Sequence, residues 1–213
     1  IIVFDLDRVS QGIGGFDLGY SIEIEYDDLG RITSSIDELG RTTSYEYDAN
    51  GQTIKQTDAL GGSTWHSYDA NGNVLSTTNA NGNTTATTYD AMGRMLTQTD
   101  ANGLTTSYGY DALGNLTSQT NANNETTQYV YDALNRQVQT IDPLGNITRN
   151  VYDARGSIIQ QIDANGVVKK FGYNAVGNLS EVVENFVSGA PADNQTNVTT
   201  SFTYDANGNL LTV

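Results

Sequence analysis

Short runs of alternating apolar and polar residues fill most of the chain, and corners rich in Asp, Asn and Gly separate them. Because successive residues of a strand point to opposite faces, the run 104–110 has two distinct sides. One side carries Leu104, Thr106, Tyr108 and Tyr110; the other carries Thr105, Ser107 and Gly109. β-Branched and aromatic residues dominate the runs, and no helical period occurs. The chain is therefore predicted to be all-β.

A tyrosine ends every second run and recurs with a period of 21 residues, which predicts a repeat architecture. Its positions are Tyr26, Tyr47, Tyr68, Tyr89, Tyr110, Tyr131, Tyr152 and Tyr173. The next repeat tyrosine, Tyr204, comes later than the period requires, so residues are inserted before it. We therefore divide the chain into a non-repeat segment at 1–20, which is an edge strand or a cap, and a repeat array at 21–213 with a loop insertion at about 184–199.

Most repeat tyrosines precede a corner of the form Asp-x-x-Gly, as in YDANGN at 68–73, and a second corner of this kind lies halfway through most repeats, with Asn sometimes in place of Asp or Gly. A type I turn prefers Asp or Asn at its first position, and a short hairpin built on it prefers Gly at its fourth, where a G1 bulge forms. Pro143 falls at the second turn position, where its fixed φ is favourable. The Asp and Gly residues are therefore predicted to form hairpin turns.

Two strands per repeat give a continuous antiparallel β-meander of roughly 17 strands from residue 31 onwards, each of ordinary length. Such a sheet would be roughly 80 Å wide and is expected to curl into a spiral or shell segment. Residues 1–5 have three alternatives: an edge strand, part of a cap, or a strand donated to a neighbouring chain.

The composition narrows the classes of function. Apolar residues make up 37% of the chain, so a conventional core would be thin. The formal net charge of −15 disfavours nucleic acids and anionic membranes as partners. The chain contains no cysteine and no apolar run long enough for a membrane helix, and its first residues are not expected to be a signal peptide. Its first residues suggest a piece of a longer protein.

The acidic corners are too far apart for shared chemistry. Asp48 and Asp58 lie at opposite ends of one predicted strand, roughly 20 Å apart, and Asp48 and Asp69 are separated by two strands, or about 9.6 Å. Glycosidase carboxylate pairs and calcium ligands lie closer together. We therefore predict no catalytic, cofactor-binding or metal-binding residue and no cofactor, with one calcium ion at a single corner as the open alternative.

Three further features of the sequence are candidate sites. The single histidine, His66, has no nucleophile or ligand beside it and is predicted to be satisfied or solvated. The single tryptophan, Trp65, either fills space between small neighbours or stacks on a sugar or a partner. The insertion at 184–199 is either a tolerated loop or a functional one, and Phe186 and Val187 would then make the contacts.

The repeated YDxxGR/N motif, with its period of 21 residues, resembles the YD-repeat (Rhs-repeat) family over 26–183 and again over 200–209. That family includes bacterial Rhs and wall-associated polymorphic toxins, C components of insecticidal toxin complexes, and teneurins. The resemblance implies a hollow β-shell that encloses a toxic C-terminal domain in bacteria and supports adhesion in teneurins. The segment is much shorter than a full shell. Residues 142–145 (Asp-Pro-Leu-Gly) are superficially similar to the family's self-cleavage motif but occupy an ordinary turn.

These observations favour a non-catalytic shell segment of a secreted or surface protein of bacterial origin, which encloses or presents a toxin or effector cargo. Its partners would be the toxin domain of the same parent protein or other chains paired through strand edges. The alternative is an extracellular adhesin or filament subunit, for which glycans are candidate ligands. An enzyme on a β-solenoid is least favoured, because no convergent polar set occurs.

Overall fold

The computed structural model describes residues 2–5, 21–193 and 195–213, and the elements within these ranges are β-strands. None of the described residues forms a helix suited to crossing a membrane. The chain divides into two compact units, one running through Thr106 and the other from Ser107 to Val213. The glycine-rich part of the predicted non-repeat segment, residues 6–20, lies outside the described residues.

The first unit is an antiparallel meander in which each strand pairs with the next one along the chain. Its strands are β1 (Ile2–Asp5), β2 (Ser21–Tyr26), β3 (Ile32–Ile36), β4 (Thr42–Tyr47), β5 (Thr53–Thr57), β6 (Ser63–Tyr68), β7 (Val74–Thr78), β8 (Thr84–Tyr89) and β9 (Met95–Thr99). The segment considered as an edge or donated strand thus forms β1, which pairs with β2 of the same chain.

The second unit continues the same pattern. The strands that complete the chain are β10 (Thr105–Tyr110), β11 (Leu116–Thr120), β12 (Thr126–Tyr131), β13 (Gln137–Ile141), β14 (Ile147–Tyr152), β15 (Ile158–Ile162), β16 (Val168–Tyr173), β17 (Leu179–Glu184), β18 (Val198–Ser201), β19 (Thr203–Tyr204) and β20 (Leu210–Thr212). The pairing is antiparallel from β10 through β18, and β19 pairs with β20. The predicted all-β meander with two strands per repeat is confirmed.

The strand count differs from the prediction because of one residue near the end of the chain. Phe202 donates its backbone N–H to the carbonyl of Ser180 and separates β18 from β19, which the sequence pattern treats as one strand. The repeat tyrosine is the last residue of its strand throughout, as predicted.

Opposite each repeat tyrosine, the next strand along the chain contains a β-bulge that the sequence did not reveal. In the second unit Val130 pairs with Gln139 but Tyr131 pairs with Gln137, so Val138 is the extra residue. The same register shift occurs at Tyr26, Tyr47, Tyr68, Tyr89, Tyr110, Tyr152, Tyr173 and Tyr204. Because the extra residue belongs to the strand opposite the tyrosine, the bulge increases the local twist there and leaves the alternation along the tyrosine's own strand intact.

The sheet has no conventional core. Among the residues for which burial is described, no hydrophobic side chain is buried, and the one buried residue is Ser34, at 8% exposure. Hydroxyl groups paired on facing strands link neighbouring strands, which accounts for part of the abundance of Thr and Ser. These pairs are Thr57–Ser63, Ser67–Ser76, Thr78–Thr84, Thr88–Thr97, Thr99–Thr105 and Thr120–Thr126. The expectation of a thin core agrees with this arrangement.

Candidate functional site: corners, tyrosine edge and insertion loop

Each corner is a type I turn in which the side chain of its first residue, Asp or Asn, accepts hydrogen bonds from the backbone of the turn. At 132–136, the N–H of Asn135 donates to the carbonyl of Asp132 at 3.0 Å, and the N–H of Asp132 donates to the carbonyl of Arg136 at 3.0 Å. Asp132 Oδ1 also accepts the N–H groups of Leu134 at 2.9 Å and Arg136 at 3.1 Å. Asn135 occupies the fourth turn position with φ 59°, where most corners have glycine. The predicted role of Asp and Gly in the turns is confirmed by this geometry.

The second carboxylate oxygen explains the last letter of the YDxxGR/N motif. Asp132 Oδ2 accepts a hydrogen bond from Arg136 Nε at 2.8 Å. In corners with Asn at this position, such as 142–146, Asn146 Nδ2 donates to Asp142 Oδ2 at 2.8 Å. The same pairing occurs at Asp27–Arg31, Asp37–Arg41, Asp69–Asn73, Asp90–Arg94, Asp111–Asn115 and Asp205–Asn209. The residue after the glycine therefore completes the corner.

These hydrogen bonds favour the ionised carboxylate. The side-chain donor of Arg136, with the backbone N–H groups of Arg136 and Leu134, holds the pKa of Asp132 below its ordinary value. Side-chain donors are likewise the main cause of a lowered pKa at Asp37, Asp69, Asp111, Asp142 and Asp205. Backbone N–H donors are the main cause at Asp27, Asp90, Asp100 and Asp193. A general acid needs a raised pKa, so these carboxylates are suited to bracing turns.

In each unit the repeat tyrosines hydrogen-bond to the neighbouring strand at the strand ends, and we call these tyrosine-bearing strand ends the tyrosine edge. Tyr131 donates its hydroxyl to the carbonyl of Leu116 at 2.9 Å, 15 residues earlier. The equivalent bonds are Tyr47 to Ile32, Tyr68 to Thr53, Tyr89 to Val74, Tyr152 to Gln137, Tyr173 to Ile158 and Tyr204 to Leu179. These bonds explain why a tyrosine, and not merely a large apolar residue, recurs at this position.

Arginine links one corner of the tyrosine edge to the next. The guanidinium of Arg136 lies 4.7 Å from the centroid of the Tyr152 ring, and its Nη1 donates to the carbonyl of Asp153 at 3.0 Å. Arg31 makes the same contacts with the Tyr47 ring, at 4.6 Å, and with the carbonyl of Asp48, at 3.2 Å. The side chain that completes one corner thus also holds the tyrosine and the corner of the following repeat.

The insertion at 184–199 folds into a hydrogen-bonded loop. Asn197 Nδ2 donates to the carbonyls of Val187 at 3.1 Å and Ala190 at 2.8 Å, and Asn197 Oδ1 accepts the N–H of Val187 at 2.8 Å. Asn185 Nδ2 donates to the carbonyl of Gln195 at 2.9 Å. The N–H of Phe186 donates to the carbonyl of Val168 at 2.7 Å, which fastens the start of the loop to the sheet.

Two adjoining depressions of about 260 Å³ each lie between this loop and the corner at 163–166, and we call them together the loop notch. Val167 and Asn185 line both of them. The apolar depression is also lined by Val168, Phe186 and Val187. The polar depression is also lined by Asp163, Lys169 and Glu184. The two residues named as contact residues from the sequence, Phe186 and Val187, are therefore both part of the notch.

The remaining sequence candidates do not converge on a site. His66 Nδ1 lies 3.0 Å from Thr77 Oγ1, so its ring has a hydrogen-bond partner. Trp65 is 45% exposed, with Lys55 Nζ 5.9 Å from its ring centroid. Within the described ranges, no three His, Cys, Asp or Glu residues are grouped closely enough to hold a metal ion. That the chain has no catalytic, cofactor or metal residue stays a prediction.

A family model described as the teneurin YD-shell matches residues 17–213. The chain belongs to the teneurin YD-shell family. The corner aspartates and repeat tyrosines described above lie within the matched range, and the family resemblance predicted from the sequence is confirmed. Among curated proteins, no relative matches this YD-shell chain.

Solved structures show the same fold. A crystal structure of TcdB2-TccC3 superposes on this YD-shell chain with a TM-score of 0.65 and 16% identity, and covers 86% of it. For the same complex without its hypervariable C-terminal region, the TM-score is 0.56, the sequence identity is 19%, and 89% of this chain is covered. For the Photorhabdus luminescens Tc holotoxin pore, the TM-score is 0.54, the sequence identity is 18%, and 96% of this chain is covered. The present chain spans only 12% of the first two chains and 13% of the third.

The YD-shell corner at 142–145 deserves comparison with the self-cleavage motif that it resembles in sequence. Asp142 Oδ1 accepts the N–H groups of Leu144 at 2.9 Å and Asn146 at 2.8 Å. Gly145 has φ 83° and donates its N–H to the carbonyl of Asp142 at 3.0 Å. This geometry is that of the other corners, so the assignment of these residues to an ordinary turn agrees with the structure.

Proposed function

We propose that the chain is a non-catalytic wall segment of a larger YD-shell protein that encloses a toxin or effector cargo. The observations that carry this proposal are the family match over 17–213 and a β-structure without a buried apolar side chain among the described residues, in which corners and tyrosines connect neighbouring strands. A shell wall depends on contacts between neighbouring strands more than on a buried apolar core. The Tyr–carbonyl and Arg–corner interactions supply such contacts between successive repeats.

The non-catalytic part of the proposal rests on how the carboxylates are used. Asp132 and Asp142 each accept hydrogen bonds on both oxygens from their own turn. A carboxylate so occupied, and with a lowered pKa, is poorly placed to act as acid, base or nucleophile. The aspartates therefore serve the wall and not a reaction.

The location and partners follow from the same proposal. The parent protein would be secreted or delivered to a cell surface, with a bacterial source favoured by the Tc toxin neighbours. The net charge of −15 suits a cationic cargo, and it repels nucleic acids and anionic lipids. The cargo would be the toxin or effector domain of the same parent protein.

The proposal is tested by proteolysis of the full-length parent protein. If the wall encloses a cargo domain, that domain should resist proteinase K in the intact protein and be digested rapidly when expressed alone. The rates are compared by mass spectrometry of the released peptides. Digestion of the domain at equal rates in the two forms would contradict enclosure.

The second candidate is an adhesin or filament subunit. It is favoured by apolar side chains displayed at corners of the tyrosine edge, where Leu113 is 74%, Leu134 71% and Val176 81% exposed. Exposed apolar rows often mark protein–protein contacts. Electron microscopy of the isolated chain separates the candidates, because a filament subunit should form long polymers and a wall segment should not.

A further inference from the structure

The corner that lines the loop notch differs from most others in its fifth residue. Arg or Asn at this position donates to the second oxygen of the corner aspartate at Asp132 and Asp142. At Asp163 the fifth residue is Val167, which has no side-chain donor. Asp163 Oδ1 accepts the N–H groups of Asn165 at 2.9 Å and Val167 at 2.8 Å, whereas no hydrogen bond from the described residues reaches Oδ2. One carboxylate oxygen beside the notch thus keeps its acceptor capacity.

Two lysines at the notch already have partners of their own. Lys169 Nζ lies 2.8 Å from Glu184 Oε1 and forms an ion pair with it. Lys170 Nζ lies 3.4 Å from the centroid of the Phe186 ring. With a chain net charge of −15, the polar depression therefore attracts a cation that the described side chains do not supply.

The adjoining apolar depression is open to a second group. Val167 is 41% and Val187 52% exposed, and Phe186 lies beside them. Asn197 fixes the loop through hydrogen bonds to Val187 and Ala190, so the depression exists before any ligand arrives. A preformed site avoids the entropic cost of ordering a loop on binding.

We propose that the loop notch binds an extended basic peptide segment. An apolar side chain of the peptide enters the depression formed by Val167, Phe186 and Val187, and an Arg or Lys two residues away reaches Asp163. Side chains two residues apart lie on the same side of an extended chain, which matches two depressions that share Val167 and Asn185. This ligand class concerns the notch alone and holds whether or not the chain encloses a cargo.

The test uses a fluorescein-labelled peptide, Gly-Ser-Leu-Ser-Arg-Ser-Gly, and fluorescence anisotropy with the whole chain. We expect a dissociation constant below about 1 mM. The variant Val167→Asn removes the apolar wall and places at Asp163 the donor that Asn146 supplies at Asp142. It is expected to weaken binding at least about tenfold, while the melting temperature stays the same or rises.

The matched control is Leu104→Asn, because Asp100 and Leu104 form the same kind of corner in the first unit and are not among the residues that line the notch. This variant should bind the peptide as the wild type does. A second probe, with Glu in place of Arg, should bind at least about tenfold more weakly. The proposal is overturned if the Arg peptide does not bind at millimolar concentration, if Val167→Asn binds it like the wild type, or if the Glu peptide binds equally well.

Discussion

Replacing Tyr152 with alanine is expected to lower the free energy of unfolding by about 2–3 kcal/mol, less than the cost at a fully buried aromatic because the ring is half-buried. The substitution removes the hydroxyl that donates to the carbonyl of Gln137 at 2.8 Å. It also removes the ring that lies 4.7 Å from the Arg136 guanidinium. Urea unfolding followed by circular dichroism measures the loss.

Two conservative variants separate the contributions. Tyr152→Phe keeps the ring and loses only the hydroxyl, so it should cost about 1 kcal/mol. Tyr129→Phe is the control, because Tyr129 lies within a strand and not at its end. Two repeats later, the equivalent position is already occupied by phenylalanine, Phe171. It should change the stability little. If Tyr152→Ala unfolds at the same urea concentration as the wild type, the tyrosine edge does not hold the repeats together.

Acid is expected to weaken the fold as the corner carboxylates become protonated. The pKa values of Asp27, Asp37 and Asp132, among others, are lowered by hydrogen bonds present only in the folded chain. A group whose pKa is lower in the folded state contributes stability above its unfolded pKa and loses it as the pH falls through the folded pKa. The loss should therefore begin near about pH 4, the ordinary pKa of aspartate, and grow below it.

The measurement is the urea midpoint at pH 7, 5 and 3 in physiological salt. Salt is needed because relief of repulsion at a net charge of −15 acts in the opposite direction and is reduced by screening. We expect a clear fall between pH 5 and pH 3. Asp142→Asn should reduce that fall, because Asn79, Asn121 and Asn174 already form corners of the same kind without a titratable group. A midpoint that stays constant or rises down to pH 3 would contradict this role.

The repeat unit could be read from the sequence because its signals are local. Asp132 binds the backbone of the residues that immediately follow it, and the residue before it, Tyr131, ends the strand. The residues that form such a turn are neighbours in the sequence, so the turn can be predicted from residue types alone. The strand ends, the corners and the antiparallel order were therefore predictable from the period alone.

The contacts between repeats could not be read in the same way. The acceptor for Tyr131 is the carbonyl of Leu116, and every residue type carries a carbonyl. Arg136 donates to the carbonyl of Asp153, 17 residues later, and residue types alone do not predict this contact either. The arginine or asparagine that recurs after the glycine stands four residues after the aspartate, and this constant spacing is the sequence signal for their contact.

The insertion loop was located by its length, but its structure depends on particular contacts. Asn185 and Asn197 have positive φ values of 50° and 53° and bond to the loop across ten residues. Nothing in the period indicates that pairing. The sequence shows that Val167 gives Asp163 no side-chain donor. That this corner lines a depression beside the insertion loop is seen only in the folded chain.

Disulfide trapping tests most directly whether each repeat folds back as an antiparallel hairpin. Ser67 Oγ and Ser76 Oγ lie 2.6 Å apart on β6 and β7, and the chain has no cysteine of its own. The double variant Ser67→Cys with Ser76→Cys should form an intramolecular disulfide under mild oxidation. The double variant Ser67→Cys with Thr88→Cys joins equivalent positions of successive repeats, which are at least about 9.6 Å apart in the meander and should not cross-link. Efficient cross-linking of positions 67 and 88, without cross-linking of 67 and 76, would show repeats stacked as parallel rungs and contradict the account.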